Sequence, residues 1–273
     1  MKKLFFLYYW KMKIRNIDFI DKTHIMAIVN LTPDSFNPAS RQTIDTVLNR
    51  VETCIKEGAE VIDLGAQSTR PGHIPVSYEE ELKRLLPSLD LIRKNFPDIP
   101  ISVDTYYPEV AKEALLHDAD LINDIWGLQY KDKSMAKVIG DRNASCCIMH
   151  NANSNVYNDF YEDILNFLRE SLRLAKEAKI DPNKILIDGG IGFAKDFDQN
   201  WELLRNYDKL DVLGYPLLLG TSRKRMFGGE VETRLQGTLD STYLACQKNI
   251  LFVRVHDIKE NMKVIKDYYG IDY

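Results

Sequence analysis

The sequence predicts an α/β protein built as a single (β/α)8 barrel, and three observations carry that prediction. The chain has 273 residues, close to the roughly 250 of one such barrel. Eight short apolar, β-branched runs alternate with segments of helical periodicity. No Pro/Gly/Ser-rich linker or low-complexity tract divides them. Strands separated by helices are parallel, and nearly continuous apolar strands belong to a sheet covered on both faces. A doubly wound open sheet is the alternative fold.

Residues 1–24 are read as an N-terminal segment packed on the barrel, and residues 25–273 as the barrel itself. The opening MKKLFFLYYWKMKIRN imitates a signal peptide through two lysines and the apolar run Leu4 to Trp10. That run is short and bulky, lysines return at Lys11 and Lys13, and no small-residue cleavage site follows, so the segment is expected to stay as an aromatic cover for the closed end of the barrel. The first barrel run is IMAIVN (25–30). In TIDTVLNRVETCIKEGA, the residues Ile44, Val47, Leu48, Val51 and Ile55 share one helical face, which stops at Gly58. The runs EVIDLG (60–65), ISVDT (101–105), LINDI (121–125) and ASCCIMH (144–150) follow. After the amphipathic DFYEDILNFLRESLRLAKEAKI come KILIDGG (184–190), YPLLLGTS (215–222) and ILFVRVHD (250–257).

Composition narrows the function. With 45% hydrophobic residues, 28% charged residues and a net charge of -4, the chain has no global pull toward nucleic acid or an anionic membrane. No stretch approaches the ~20 apolar residues of a membrane span. Cys54, Cys146, Cys147 and Cys246 lack CxxC spacing and sit in apolar surroundings. They read as buried thiols of a reducing, cytoplasmic compartment rather than as a zinc site or disulfide framework.

Nearly every apolar run ends in a polar residue: Asn30, Asp63, Asp104, Asn123 with Asp124, His150, Asp188, Ser222, then Arg254 and His256. Singly these are ordinary caps and turn formers. Together they mark the C-terminal face of a barrel, where the loops that follow the strands assemble an active site. In NLTPDSF (30–36) the TPDS is good turn chemistry, while Asn30 could be an oxygen ligand for Mg2+ shared with a substrate phosphate, with Asp34 in the following loop. DLGAQSTRPG (63–72) places Asp63, Ser68, Thr69 and Arg70 before a Pro-Gly turn, in a loop that either closes over a ligand or is inert. Asp63 joins the substrate-facing candidates. Asp104, Asn123 and Asp188 are acceptor-bearing side chains suited to the amino-amide edge of a heterocycle such as a pterin or guanine. The two carboxylates could equally hold a metal or serve as acid and base. DGGIGFAKD (188–196) is not a dinucleotide fingerprint, because Lys195 stands at the third glycine position. The last two runs bring Ser222, Arg223, Lys224, Arg225, Arg254 and His256 to where barrels often bind phosphate. Arg223 and Arg225 could instead be solvated turn charges.

In order along the chain, NLTPDSF, DLGAQSTRPG, SVDTYYPEVAKEAL, INDIWG, ILIDGGIGF, LLLGTSRKRMFG and RVHDI resemble the dihydropteroate synthases of folate biosynthesis, from about Ile25 to Ile258. The resemblance implies a (β/α)8 barrel that joins 6-hydroxymethyl-7,8-dihydropterin diphosphate to 4-aminobenzoate with release of diphosphate. It implies Asn30 as the Mg2+ contact, and Asp104, Asn123, Asp188 and Lys224 as the pterin set. Arg254 and His256, with Asn30, would take the diphosphate. Thr69, Arg70, Pro71, Phe193 and Ser222 would form the 4-aminobenzoate pocket, the surface that sulfonamides occupy in the family. The implied mechanism uses no covalent nucleophile. Asp104 and Asp188 favour the pterin cation left as the C–O bond breaks, Lys224 completes the catalytic set, and the loops of Asp34 and Arg70 exclude water. The resemblance further implies a homodimer through the later helices.

Four departures stand against the family pattern. Gln67 replaces a usual Glu, Gly189 a usual Pro and Ala194 a usual Gly, and MHNANSNVY replaces a Met-His-Met-Gln-Gly run. Two other functions compete. A pterin-binding methyltransferase domain would need no diphosphate pocket, so NLTPDSF and RVHD count against it; a catalytically silent pterin-binding paralogue rests only on Gln67 and the altered fifth loop. A nucleic-acid-binding protein would need a basic stripe that is missing.

Overall fold

A computed structural model describes residues 11–31, 41–67 and 75–272. The chain enters through a small antiparallel hairpin, β1 (Met12–Ile14) and β2 (Ile17–Phe19), with Met12 opposite Phe19 and a turn at Arg15 and Asn16. The hairpin was not anticipated. Eight parallel strands then close into a barrel: β3 (His24–Asn30), β4 (Val61–Gly65), β5 (Ile101–Asp104), β6 (Leu121–Asp124), β7 (Ser145–Met149), β8 (Ile185–Asp188), β9 (Leu217–Leu219) and β10 (Phe252–Val255). The last, β10, pairs with both β9 and β3, which closes the ring and rules out the open sheet. Each strand falls inside one of the eight apolar runs or within a residue of it, and several stop before the run's final polar residues, which pass into the loops.

The helices α1 (Arg41–Lys56), α2 (Tyr78–Asn95), α3 (Pro108–Leu116), α4 (Met135–Asp141), α5 (Phe160–Glu177), α6 (Phe197–Arg205), α7 (Leu235–Gln247) and α8 (Ile258–Tyr269) alternate with the strands. In α1, Val47 and Val51 are buried as the periodicity requires, and the helix ends two residues before Gly58. Gly58 has φ +106, a backbone conformation that demands glycine, with the flexible Met262 side chain packed against it. Helix α6 begins with a capping box between Asp196 and Gln199, which fixes where the preceding loop must end.

Period-two alternation divides the core. On β3, Ile25, Ala27 and Val29 face the helices, while Met26 points into the barrel. Met26, Val61, Leu121, Cys147, Leu186, Leu218 and Phe252 fill the interior, and Met12, Ile14 and Phe19 of the hairpin pack onto them from the N-terminal end. All four cysteines are buried and unpaired, as expected. Register aligns one row at the other end: Asn30 pairs with Gly65, Gly65 with Asp104, and Asp104 with Asn123. The candidate site is built on that row.

Candidate active site at the C-terminal mouth

Arg254 is the hub of the mouth. From β10 its Nε donates to Asp63 Oδ2 at 2.7 Å, and its Nη2 donates to Asp104 Oδ2 at 2.6 Å. Burial works against the guanidinium charge, but Asp63 and Asp104 outweigh it and raise the Arg254 pKa. Asp63 is fully buried, and its other oxygen accepts from Ser102 Oγ at 2.5 Å. Both of its oxygens therefore serve protein donors. Expected among the substrate ligands, it sits one layer below the mouth and holds Arg254 in place. Arg254, expected on the diphosphate, spends two of its donor groups on carboxylates of its own chain.

Asp104 is different. Its Oδ1 is buried with no hydrogen-bond partner among the described residues. Burial pushes its carboxyl up to about 7 against the pull of Arg254, with Asp63 and Asp124 adding repulsion. Such an orphan acceptor costs stability unless a ligand donates to it. Asn123 lies beside it in register and is also buried. The neighbouring Asp124 is structural: it accepts from the backbone N–H groups of Trp126 (2.8 Å) and Leu128 (2.7 Å).

Across the barrel, Asp188 ends β8. Its Oδ1 accepts from Gly190 N at 2.7 Å and from Tyr207 OH at 2.9 Å. The turn that follows brings the Ile191 carbonyl to Lys224 Nζ, and puts the Phe193 ring 4.8 Å from that ammonium. Gly190 makes this path possible: with φ +73, a Cβ there would stand 2.0 Å from the His150 carbonyl. Burial lowers the Lys224 pKa to about 8, with Arg254 adding repulsion against the attraction of Asp188 and Asp104. Lys195 donates to His150 Nδ1 (2.9 Å) and to the carbonyls of Gly190 and Phe193. Burial brings this lysine down to about 7, and burial together with Lys195 drives His150 down to about 2, so the imidazole is neutral.

Ser222 Oγ and His256 Nδ1 are 2.8 Å apart, and Ser222 Oγ also accepts from His256 N. Arg50 donates to the His256 carbonyl and steadies the end of β10. Arg223 donates twice to Asp257, at 2.8 and 2.7 Å, so it is a structural ion pair rather than a phosphate ligand. Arg225 is exposed. The structure thus brings together Asp104, Asn123, Asp188, Lys224, Phe193 and Arg254, and joins Ser222 to His256. Asp34, Thr69, Arg70 and Pro71 lie outside the described residues. Asn30 is exposed at the mouth, where a Cβ on Gly65 would stand 3.6 Å from its Oδ1.

The departures acquire physical content. Gln67 Nε2 donates to Glu81 Oε2 at 2.5 Å; Glu81 is fully buried and burial raises it to about 8. A glutamate at 67 would set two carboxyls together, so the amide spares this pair a like-charge contact. Ala194 has φ +47, a conformation that favours glycine. Sequence reasoning missed Ser102, Tyr207, Lys195, Glu81 and Arg50. Ser102 could have been found, because it stands two residues before Asp104 and must face the same way; the others carry no local signal.

Comparison with known proteins agrees with this geometry. The family described as pterin binding enzyme matches residues 26–256. A dihydropteroate synthase of Clostridium beijerinckii is 46% identical over 252 residues, covering 90% of this chain and 93% of that protein. Among solved structures, the dihydropteroate synthase of Clostridium difficile in the presence of pteroic acid superposes with a TM-score of 0.89 at 42% identity, covering 93% of this chain and 98% of the other. The Xanthomonas albilineans dihydropteroate synthase with 4-aminobenzoic acid gives 0.88 at 32% identity, covering 96% and 98%.

Proposed function

The chain belongs to the pterin binding enzyme family, and we infer that it works as a dihydropteroate synthase, a transferase of folate biosynthesis. In this reaction 6-hydroxymethyl-7,8-dihydropterin diphosphate condenses with 4-aminobenzoate, giving 7,8-dihydropteroate and diphosphate. The observation that carries the residue assignment is the pair of half-used carboxylates: Asp104 has Oδ1 without a partner, and Asp188 accepts its hydrogen bonds from the described residues on Oδ1, leaving Oδ2. Two open acceptors at the mouth suit the N–H groups of a pterin edge.

Asp104, Asn123, Asp188 and Lys224 bind and orient the pterin. Donation to Asp104 Oδ1 supplies what the folded protein leaves unmet. As the C–O bond breaks and the pterin becomes cationic, the carboxylates of Asp104 and Asp188 favour that charge. Arg254, held by Asp63, and His256, held by Ser222, face the departing diphosphate. Phe193 and Ser222, with Thr69, Arg70 and Pro71, receive the arylamine; the loops of Asp34 and Arg70 exclude water.

Among the described residues no cluster of three His, Cys, Asp or Glu could hold a metal by itself. A lone exposed amide oxygen at Asn30 instead fits Mg2+, which keeps most of its waters and takes phosphate oxygens. Bound there, it would neutralise charge on the leaving group. A homodimer through α7 and α8 belongs to the same reading, supported by half-exposed Tyr243 and Tyr268, whose rings meet edge to face at 5.6 Å. A cytoplasmic setting is supported by the unpaired cysteines, and no helix among the described residues is long and apolar enough to cross a membrane.

The test is diphosphate release by the purified protein with pterin diphosphate, Mg2+ and 4-aminobenzoate, each omitted in turn. Release that needs all three, with dihydropteroate formed, is the expected result. Pterin diphosphate binding with no arylamine-dependent product would overturn the synthase assignment.

A further inference from the structure

Tyr207 lies outside every recognised motif, yet its hydroxyl meets the pterin carboxylate. It opens the short 3-10 turn Tyr207–Leu213 after α6 and is fully buried. Its OH stands 2.9 Å from Asp188 Oδ1 and 2.7 Å from the Leu218 carbonyl, and it accepts from Gly189 N at 2.7 Å. A phenol has one proton to give. With Gly189 donating inward, that proton goes to either the carboxylate or the carbonyl, and the ionised oxygen is the stronger acceptor.

We infer that Tyr207 is a positioning residue for pterin recognition: with the Gly190 N–H it ties down Asp188 Oδ1, so that Oδ2 alone is offered to the ligand. Three observations on the backbone support this. A Cβ on Gly189 would stand 3.0 Å from Tyr207 Cε2 and 3.0 Å from Leu210 Cδ1, so the ring lies directly against a residue with no side chain. The Gly189 N–H that orients the hydroxyl would not exist in a proline, so this contact requires a residue other than proline here. A Cβ on Gly220 would stand 3.6 Å from Asp188 Oδ2, so the open oxygen lies beside a second bare position. A carboxylate pinned through one oxygen loses its rotation about χ2 before the ligand arrives, and that ordering is then not charged to binding.

The inference rests on the pterin assignment of Asp188, and the experiment separates the two. Binding of pterin diphosphate is measured by calorimetry without 4-aminobenzoate, and KM for each substrate with both present. For Tyr207→Phe, Kd and KM for the pterin should rise about tenfold, the scale of a lost hydrogen bond to a charged group, while KM for 4-aminobenzoate stays within twofold. Leu210→Ala, which loosens the same packing without touching the hydroxyl, should lower Tm and leave the pterin KM unchanged. Gly189→Ala, whose Cβ would press on the Tyr207 ring 3.0 Å from Cε2 while keeping the backbone N–H, should raise the pterin KM and leave that for 4-aminobenzoate within twofold, and it decides the matter if Tyr207→Phe does not fold. Pterin binding by Tyr207→Phe within twofold of wild type overturns the inference, as does an equal loss in Leu210→Ala. A wild-type protein that binds no pterin diphosphate overturns it together with the function it rests on.

Discussion

At the closed end of the barrel, Met12, Ile14 and Phe19 pack onto Leu121 and Phe252, and the acidic groups nearby have basic partners. Asp120 accepts from Arg15, from Arg93 and from Ile101 N. Glu60 leaves one buried oxygen unpaired, but His24 and Lys22 outweigh its burial and hold its pKa below the usual carboxylate range. At the open end, Asp104 also has an unpaired buried oxygen, yet Arg254 does not compensate it, and its carboxyl is raised to about 7. Lys224 and Lys195 are displaced in the opposite direction by the same burial. The difference teaches where this fold tolerates electrostatic cost: at the mouth to which the proposed function assigns the substrates.

The largest expected effect would sharpen this contrast from the closed end. Phe19→Ala should cost about 3–5 kcal/mol of stability, read as a fall in Tm of roughly 10 °C, while kcat/KM of the folded protein stays within twofold. Second is Asp104→Asn at the open end: kcat/KM should fall about 100-fold, near 2.7 kcal/mol of transition-state stabilisation, with a smaller change in Tm than Phe19→Ala. Were the two substitutions to exchange their effects, the division between the ends would fail.

Protonation gives the third prediction. A raised carboxyl is neutral below its folded pKa, and a lowered ammonium is neutral above its own. The kcat/KM for pterin diphosphate should therefore fall below pH about 7 as Asp104 takes a proton, and above pH about 8 as Lys224 loses one. Each limb should approach about tenfold per pH unit, and Lys224→Arg should remove the alkaline one. The smallest effect concerns strain at the open end: Ala194→Gly should stabilise the protein by about 1 kcal/mol, a gain of a few degrees in a melting curve.

The eight barrel strands and the polar residues at their ends were legible in the sequence. Alternation along a strand is a short-range property, and a closed parallel barrel puts every strand end on one face. From that rule alone Asn30, Asp104, Asn123 and Asp188 belonged at the mouth. The β1–β2 hairpin was not legible, because two three-residue strands give too little pattern to distinguish from an apolar segment.

What the sequence by itself determined is the barrel, its buried thiols and the set of side chains delivered to its mouth, because these follow from periodicity and strand polarity within a few residues. What only the tertiary structure decided is which of those side chains answer to one another. Arg254 meets Asp104 across 150 residues of chain and Asp63 across 191, so that Asp63 holds Arg254 in place. Arg223 is taken by Asp257, and Tyr207 reaches Asp188 from a turn without any motif. Hydrogen-bond partners are chosen by distances of about 3 Å, and those distances exist only once the ring of strands has closed.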